Sequence, residues 1–369
     1  MRVLLTGGGT GGHVNPALAI ADAIKLHDKD AEIAYVGTKN GIENKLVEKE
    51  GYKMYHVEAR GFQRSLSPKN LIAAWYYLTS PSAAKKVIRE FKPDVVIGTG
   101  GYVCYAPLKA AAALGIPTAV HESNALPGKA VRMLQDKVDL ILLNFSQSEK
   151  YIDAKEKIRI VGNPLRGDFG AYTKAQARKL LDIGDEYKHV LLSYGGSLGA
   201  PAINSAALEI MEGYTSSHPE ILHIHATGRK RYGEFSEAFA ARGLDKVQNI
   251  NASEYIYDMP LKMAAADLII SRAGAMTVTE MAKMKKACIM IPSPYVADNH
   301  QYKNAKVLAD AGAIELIEEK ELSEGKIVSI TEKLLFDAAR RHEMETKIAE
   351  FAGENAGEII YKEIEKILK

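Results

Sequence analysis

Val3-Leu4-Leu5-Thr6 runs straight into Gly7-Gly8-Gly9-Thr10-Gly11-Gly12-His13, and a helical stretch with Pro16 and the apolar residues Leu18, Ile20 and Ile24 follows. An apolar strand that ends in a glycine turn and opens a helix is the first unit of a parallel sheet covered by helices. The pattern returns at Val190-Leu191-Leu192-Ser193-Tyr194-Gly195-Gly196. Each copy heads a series of short β-branched or Leu-rich runs separated by amphipathic stretches. In the first half these are residues 32–36, 95–98, 118–121 and 140–143; in the second they are 189–193, 222–226, 268–271 and 287–291. Two α/β domains with parallel sheets facing a central cleft are therefore expected. A length of 369 residues with 47% hydrophobic side chains suits two cores of ordinary size. Val161-Gly162-Asn163-Pro164 breaks regular structure between the halves.

Several function classes drop out on charge and cysteine usage. Forty-eight Lys and Arg against 46 Asp and Glu leave a net charge of +2, too little for a general nucleic-acid binder. Cys104 and Cys288 form neither a CxxC nor a zinc pattern, which fits a reducing, cytoplasmic setting. No apolar run approaches the ~20 residues of a membrane span, and the N-terminus reads as a buried strand and not a signal peptide, so membrane contact is expected to be peripheral.

The first glycine loop contains a literal GxGxxG, yet the acidic residue a dinucleotide site needs ~20 positions on is missing, because Ala34-Tyr35-Val36 continues into Gly37-Thr38-Lys39. No Gly-Lys-Ser/Thr follows, which excludes a P-loop. What remains is a row of backbone N–H groups at a helix N-terminus, suited to phosphate. His13 at the loop's exit is expected to face the ligand crevice, although a structural hydrogen-bonding role is the plain alternative. Gly98-Thr99-Gly100-Gly101-Tyr102 and His121-Glu122-Ser123-Asn124 come to the same sheet edge. In the second half, Gly195-Gly196-Ser197-Leu198-Gly199-Ala200 follows one strand. Ser271-Arg272-Ala273-Gly274-Ala275-Met276-Thr277 precedes the helix that carries Glu280. Residues 274–279 read as a second phosphate-binding helix start, with Glu280 either accepting ribose hydroxyls or simply solvated. Asp298-Asn299-His300-Gln301 suits sugar hydroxyls or an exposed loop. Asp28-Lys29-Asp30 and His223-Ile224-His225 read as structural, and no obligatory metal is expected. Residues 71–78, with Trp75, Tyr76 and Tyr77 near Lys69, Lys85, Lys86 and Arg89, form either a core stripe or an interfacial patch.

Taken in order, GGGTGGHVNPALAIA (7–21), VGTKNGIE (36–43), PDVVIGTGGYV (93–103), HESNALPG (121–128), GNPLR (162–166), GGSLGA (195–200), SRAGAMTVTE (271–280) and DNHQYKNA (298–305) resemble one family across nearly the whole chain. It is glycosyltransferase family 28, whose members attach N-acetylglucosamine to undecaprenyl-diphosphate-linked muramyl pentapeptide, converting lipid I to lipid II in peptidoglycan synthesis. The resemblance implies a GT-B fold with residues 1–162 plus about 353–369 as an acceptor- and membrane-facing domain and 163–352 as the UDP-GlcNAc-binding domain. It implies that Thr10, Gly11 and Gly12 line the cleft, that Asn124 contacts the donor sugar, and that Arg166 and Ser197 approach the donor. Gly274, Ala275, Met276, Thr277, Val278 and Thr279 would hold the diphosphate, Glu280 the ribose, the backbone of Ile256 the uracil, and Gln301 with His300 the sugar hydroxyls. The implied partners are UDP-GlcNAc, undecaprenyl-linked lipid I, an anionic membrane surface at the cytoplasmic face, and other cell-wall synthesis proteins, with no cofactor. The implied reaction is direct displacement with inversion, with His13 or Glu122 as the base; an imidazole is suited to that work at neutral pH, and a carboxylate needs burial to raise its pKa. Leu198, Ser123 and Tyr105-Ala106 depart from the family's usual residues. A nucleotide-sugar epimerase and a non-catalytic scaffold are the rival functions.

Overall fold

The computed structural model describes residues 1–61, 69–353 and 355–369. The chain forms two compact units, Met1–Arg166 with Gly353–Lys369, and Gly167–Ala352. The first holds seven parallel strands: β1 (Arg2–Thr6), β2 (Glu32–Gly37), β3 (Lys53–His56), β4 (Val95–Gly98), β5 (Thr118–Glu122), β6 (Leu140–Leu143) and β7 (Ile158–Ile160), in the order β3-β2-β1-β4-β5-β6-β7. The second holds six, β8 (His189–Tyr194), β9 (Ile221–Ala226), β10 (Ile250–Ser253), β11 (Leu268–Ser271), β12 (Cys288–Met290) and β13 (Glu315–Leu316), in the order β10-β9-β8-β11-β12-β13. β1, β4, β5, β6, β8 and β11 are almost wholly buried, which is why they read as unbroken apolar runs: helices cover both faces of a parallel sheet.

Strand order fixes where ligands can sit. β1 pairs with β2 on one side and β4 on the other, and β8 pairs likewise with β9 and β11. The chain turns in opposite directions from each of these central strands, so a crevice opens at their carboxyl ends, where doubly wound sheets bind ligands. Residues 7–13 and 99–102 stand at that point in the first unit; residues 195–200 and 272–275 stand there in the second.

The C-terminal helix Ala356–Leu368 belongs to the first unit. It buries Ile360 and Ile364 in the core that contains Val14, Leu18 and Ile24 of helix Gly11–His27. His27 stacks on Tyr361 with ring centroids 4.2 Å apart and meets the Glu358 carboxylate at 2.6 Å. Gly162 is packed and not loose: its carbonyl accepts from His121 Nε2 at 2.9 Å. Cys104 and Cys288 are buried free thiols, and burial pushes Cys104 up to about 12.

Candidate functional site

In the first unit the site is built around His13, in the first turn of helix Gly11–His27. Its Nδ1 lies 3.0 Å from the Gly8 carbonyl and 3.2 Å from Thr10 Oγ1. A carbonyl can only accept, so the neutral ring carries its proton on Nδ1 and presents Nε2 as the acceptor. Burial holds the imidazole below its ordinary pKa, and the bond to Gly8 partly offsets this. The loop after β4 forms the other wall. Thr99 Oγ1 donates to the His13 carbonyl at 2.6 Å. Gly100 and Gly101, with φ of +95° and +73°, bring bare backbone against the ring. A Cβ at Gly100 would lie 2.9 Å from His13 Cδ2, and one at Gly101 would lie 3.0 Å from Nδ1 and collide with the Gly8 carbonyl. Only glycine satisfies both demands.

Glu122, the other candidate base, is spent on its own loop. Oε1 accepts from the Asn124 backbone N–H at 2.9 Å and its side-chain amide at 3.0 Å, and Oε2 accepts from Gly128 N–H at 2.7 Å. The carboxylate thus shapes residues 123–128 and orients Asn124. Thr10 and Gly12 are exposed and Gly11 half-exposed at the same helix start. Arg166 is held within its own unit: Nε donates to Asp22 at 2.6 Å, and Nη1 and Nη2 grip Glu50 at 3.0 and 2.7 Å, depressing the Glu50 carboxyl. Arg166, which the resemblance places near the donor, forms ion pairs with these two carboxylates.

In the second unit, Gly274 is the N-cap of helix Ala275–Met284, whose first N–H groups have no partner within the helix. Glu280 sits beyond that first turn, and burial raises its carboxyl to about 7. It adds to the burial that raises the Tyr194 phenol, and the Tyr194 hydroxyl is buried with no hydrogen-bond partner among the described residues. Ser197 and Leu198 are exposed in the loop after β8, where the Ser197 carbonyl accepts from Arg229 N–H at 3.2 Å. Ile256 is buried beside a pocket of about 530 Å³ that Tyr255, Tyr257, Asp258, Asn251 and Ser253 also line. Tyr255 meets Tyr257 edge-on at 4.8 Å and carries the Arg229 guanidinium 4.7 Å above its ring.

The polar run after β12 is a strained turn: Asp298 and Asn299 both take left-handed conformations, with φ of +50° and +51°. They start helix His300–Asp310. Gln301 accepts from Ser293 N–H at 2.9 Å, His300 Nδ1 lies 2.9 Å from the Ala297 carbonyl, and buried Asn304 donates to the Ala273 carbonyl at 3.3 Å. Asn304 therefore braces the loop that caps helix Ala275–Met284, a role visible in sequence only as part of the DNHQYKNA run.

Among the described residues no three His, Cys, Asp or Glu side chains converge as metal ligands. Asp28 binds the N-terminal amine and the Asp30 N–H, while His223 and His225 share a hydrogen bond to buried Ser193 at 2.9 and 2.7 Å. In helix Lys69–Phe91, Leu71, Trp75 and Leu78 are 76, 64 and 74% exposed and Ile72 is exposed beside them. Tyr76 is half-buried, and Tyr77 packs on Tyr105 at 4.5 Å, so the aromatics divide between surface and core. The side chain of Lys69 lies outside the described residues; Lys86 and Arg89 are exposed and Lys85 half-buried.

Residues 3–142 match the glycosyltransferase family 28 N-terminal domain and residues 190–359 its C-terminal domain. The chain is 40% identical over 369 residues to the UDP-N-acetylglucosamine–N-acetylmuramyl-(pentapeptide) pyrophosphoryl-undecaprenol N-acetylglucosamine transferase of Acetivibrio thermocellus, covering 100% of this chain and 99% of that one. Among solved structures, the crystal structure of Acinetobacter baumannii MurG superposes with a TM-score of 0.78 at 28% identity, over 99% of both chains. A UDP-GlcNAc 2-epimerase from Neisseria meningitidis bound to UDP-GlcNAc shares the fold, with a TM-score of 0.66 at 15% identity over 99% of this chain and 100% of that one.

Proposed function

The chain belongs to glycosyltransferase family 28, and from that premise we propose how it moves N-acetylglucosamine from UDP-N-acetylglucosamine to undecaprenyl-diphosphate-linked N-acetylmuramyl pentapeptide. The observation that carries the mechanism is the position of His13 Nδ1, 3.0 Å from the Gly8 carbonyl, which leaves Nε2 to take a proton. The acceptor's sugar hydroxyl gives its proton to Nε2 as its oxygen bonds to the anomeric carbon. The bond from that carbon to the diphosphate oxygen breaks, and inversion converts the α-linked donor to a β-linked product. A base so placed contributes about 10²–10⁴-fold. Glu122, its oxygens already occupied, serves by orienting Asn124 toward the donor sugar.

UDP is assigned to the second unit. The N-terminus of helix Ala275–Met284, from Ala275 through Thr277, donates backbone N–H groups to the diphosphate and stabilises the charge that develops as it leaves. Val278 and Thr279 continue that turn, with Val278 buried behind it. Glu280 receives the ribose hydroxyls, Ile256 offers backbone to the uracil, and Ser197, Gln301 and His300 serve the phosphate and sugar groups. Arg166 reaches the donor only if its ion pairs with Asp22 and Glu50 yield.

Among the described residues no helix is long and apolar enough to cross a membrane. The acceptor's prenyl chain stays in a bilayer, so the enzyme goes to the surface. Leu71, Ile72, Trp75 and Leu78, on one face of helix Lys69–Phe91 with Lys86 and Arg89 further along, have the chemistry of an anionic-membrane contact at the cytoplasmic face.

Turnover of UDP-GlcNAc with and without a lipid I analogue tests the reading. Release of UDP that requires the acceptor and yields the disaccharide product supports it; conversion of UDP-GlcNAc alone identifies an epimerase; failure to bind UDP identifies a scaffold.

A further inference from the structure

Glu43 has no solvent exposure, and the transfer chemistry above does not use it. Its seat is made of glycine. A Cβ at Gly8 would lie 2.8 Å from the carboxylate, one at Gly37 would lie 2.6 Å from Cγ, and one at Gly41 would collide with the carboxylate. Asn44 fixes the loop that delivers it, donating to the carbonyls of Thr38, Lys39 and Gly41 at 2.8, 3.0 and 3.1 Å. Oε1 accepts from the Thr38 N–H and hydroxyl, both at 2.8 Å, and Oε2 accepts from the Gly9 N–H at 3.5 Å. A buried carboxylate held by neutral donors costs stability that a purely structural contact does not require.

That Gly9 N–H belongs to the same peptide group as the Gly8 carbonyl, which accepts from His13 Nδ1 at 3.0 Å. The group is planar and trans, so its N–H and C=O point in opposite directions along one dipole. A negative charge at the N–H end polarises the carbonyl toward the imidazole. We infer that Glu43 is a positioning residue that acts on His13 through the Gly8–Gly9 peptide, holding the proton on Nδ1 and strengthening Nε2 as a base. The inference rests on the assignment of His13 as the base. The other titratable groups facing this loop include His56, whose Nε2 lies 2.8 Å from Asn44 Oδ1. Tyr35 donates to the Gly7 carbonyl at 2.9 Å, Tyr102 packs on Gly9 with Arg60 nearby, and burial raises both phenols and the Cys104 thiol.

The experiment compares wild type with Glu43→Gln, which keeps the shape and one acceptor and removes the charge. With UDP-GlcNAc and a lipid I analogue, kcat should fall roughly tenfold and the acidic limb of the kcat–pH profile should move to lower pH by roughly half a unit, because the imidazolium loses a stabilising charge. UDP affinity should not change. An unmoved limb with kcat lowered equally at every pH overturns the inference and leaves Glu43 structural. Nitrogen NMR of labelled histidine in the wild-type chain supplies an arm that holds even if the variant does not fold. His13 should be the Nδ1–H tautomer, and the Gly9 amide proton should be shifted downfield and should titrate with His13. An Nε2–H tautomer, or a Gly9 amide indifferent to that titration, overturns the inference. If NMR shows the coupling and His13→Ala keeps full kcat, the assignment of the base fails and the coupling stands.

Discussion

Replacing Glu280 by Gln should stabilise the free protein while weakening its grip on UDP, and a structural residue would not show that pairing. Burial raises this carboxyl from 4.5 to about 7. At pH 8 the displacement corresponds to about 3 kcal/mol against the charged form in the folded chain. Glu280 retains some solvent contact, which reduces the figure to about 1–2 kcal/mol. Because the folded pKa lies above the unfolded one, the penalty is absent below pH 4.5, grows as pH rises, and is complete above pH 7. Gln carries no charge and escapes it. Thermal unfolding of the ligand-free chain should show the variant about 3–6 °C more stable at pH 8, with the difference closing toward pH 4.5. Calorimetric titration with UDP should show affinity lower by about 1–3 kcal/mol, since ribose hydroxyls bond more strongly to a carboxylate than to an amide. Wild-type affinity for UDP should also weaken as pH falls through 7, when the carboxyl takes up its proton. A variant that binds UDP as wild type does, or that is less stable at pH 8, would refute the reasoning.

His13→Ala should lower kcat by about 10²–10⁴-fold with UDP affinity unchanged, as measured by steady-state kinetics beside calorimetry; loss of UDP binding with residual kcat intact would return the base to Glu122. Gly101→Ala forces a Cβ onto the Gly8 carbonyl at φ +73°, and Gly115→Ala, at φ +70° with open space around it, imposes the backbone strain alone. Both should lose about 1 kcal/mol or more in denaturant unfolding, but only Gly101→Ala should lose turnover. Changing Leu71 and Trp75 to Ser should release the chain from anionic vesicles while thermal stability and transfer to a soluble acceptor analogue stay near wild type, since both side chains are exposed; unfolding of the double variant would mean that the stripe is core.

Sequence by itself determined the interior. The central strands are legible because a strand buried on both faces must be apolar at every position, as Val3-Leu4-Leu5 and Val95-Val96-Ile97 are. The glycine loops that end β1 and β8, and the helix start at Gly274, are legible because a strand that turns directly into a helix needs glycine at the turn. The edge strands β3, β7, β10 and β13 are not: each is half-exposed, so no continuous apolar run marks them, and only pairing with a neighbour makes them strands. The roles of the polar residues were likewise decided by tertiary structure. Which groups Glu122 and His13 meet is not legible in sequence: Gly128 and Asn124 donate to the one, and Nδ1 of the other lies against the Gly8 carbonyl. Folding also brings Arg166 to Glu50, 116 residues away, a pairing no local pattern announces. Glu43 enters the sequence only as the last residue of VGTKNGIE; the in-register pairing of β1 and β2 brings its carboxylate to the Gly9 N–H. Periodicity and glycine content report what a residue must be locally; which partner a charge meets depends on strand order and register, which no local pattern encodes.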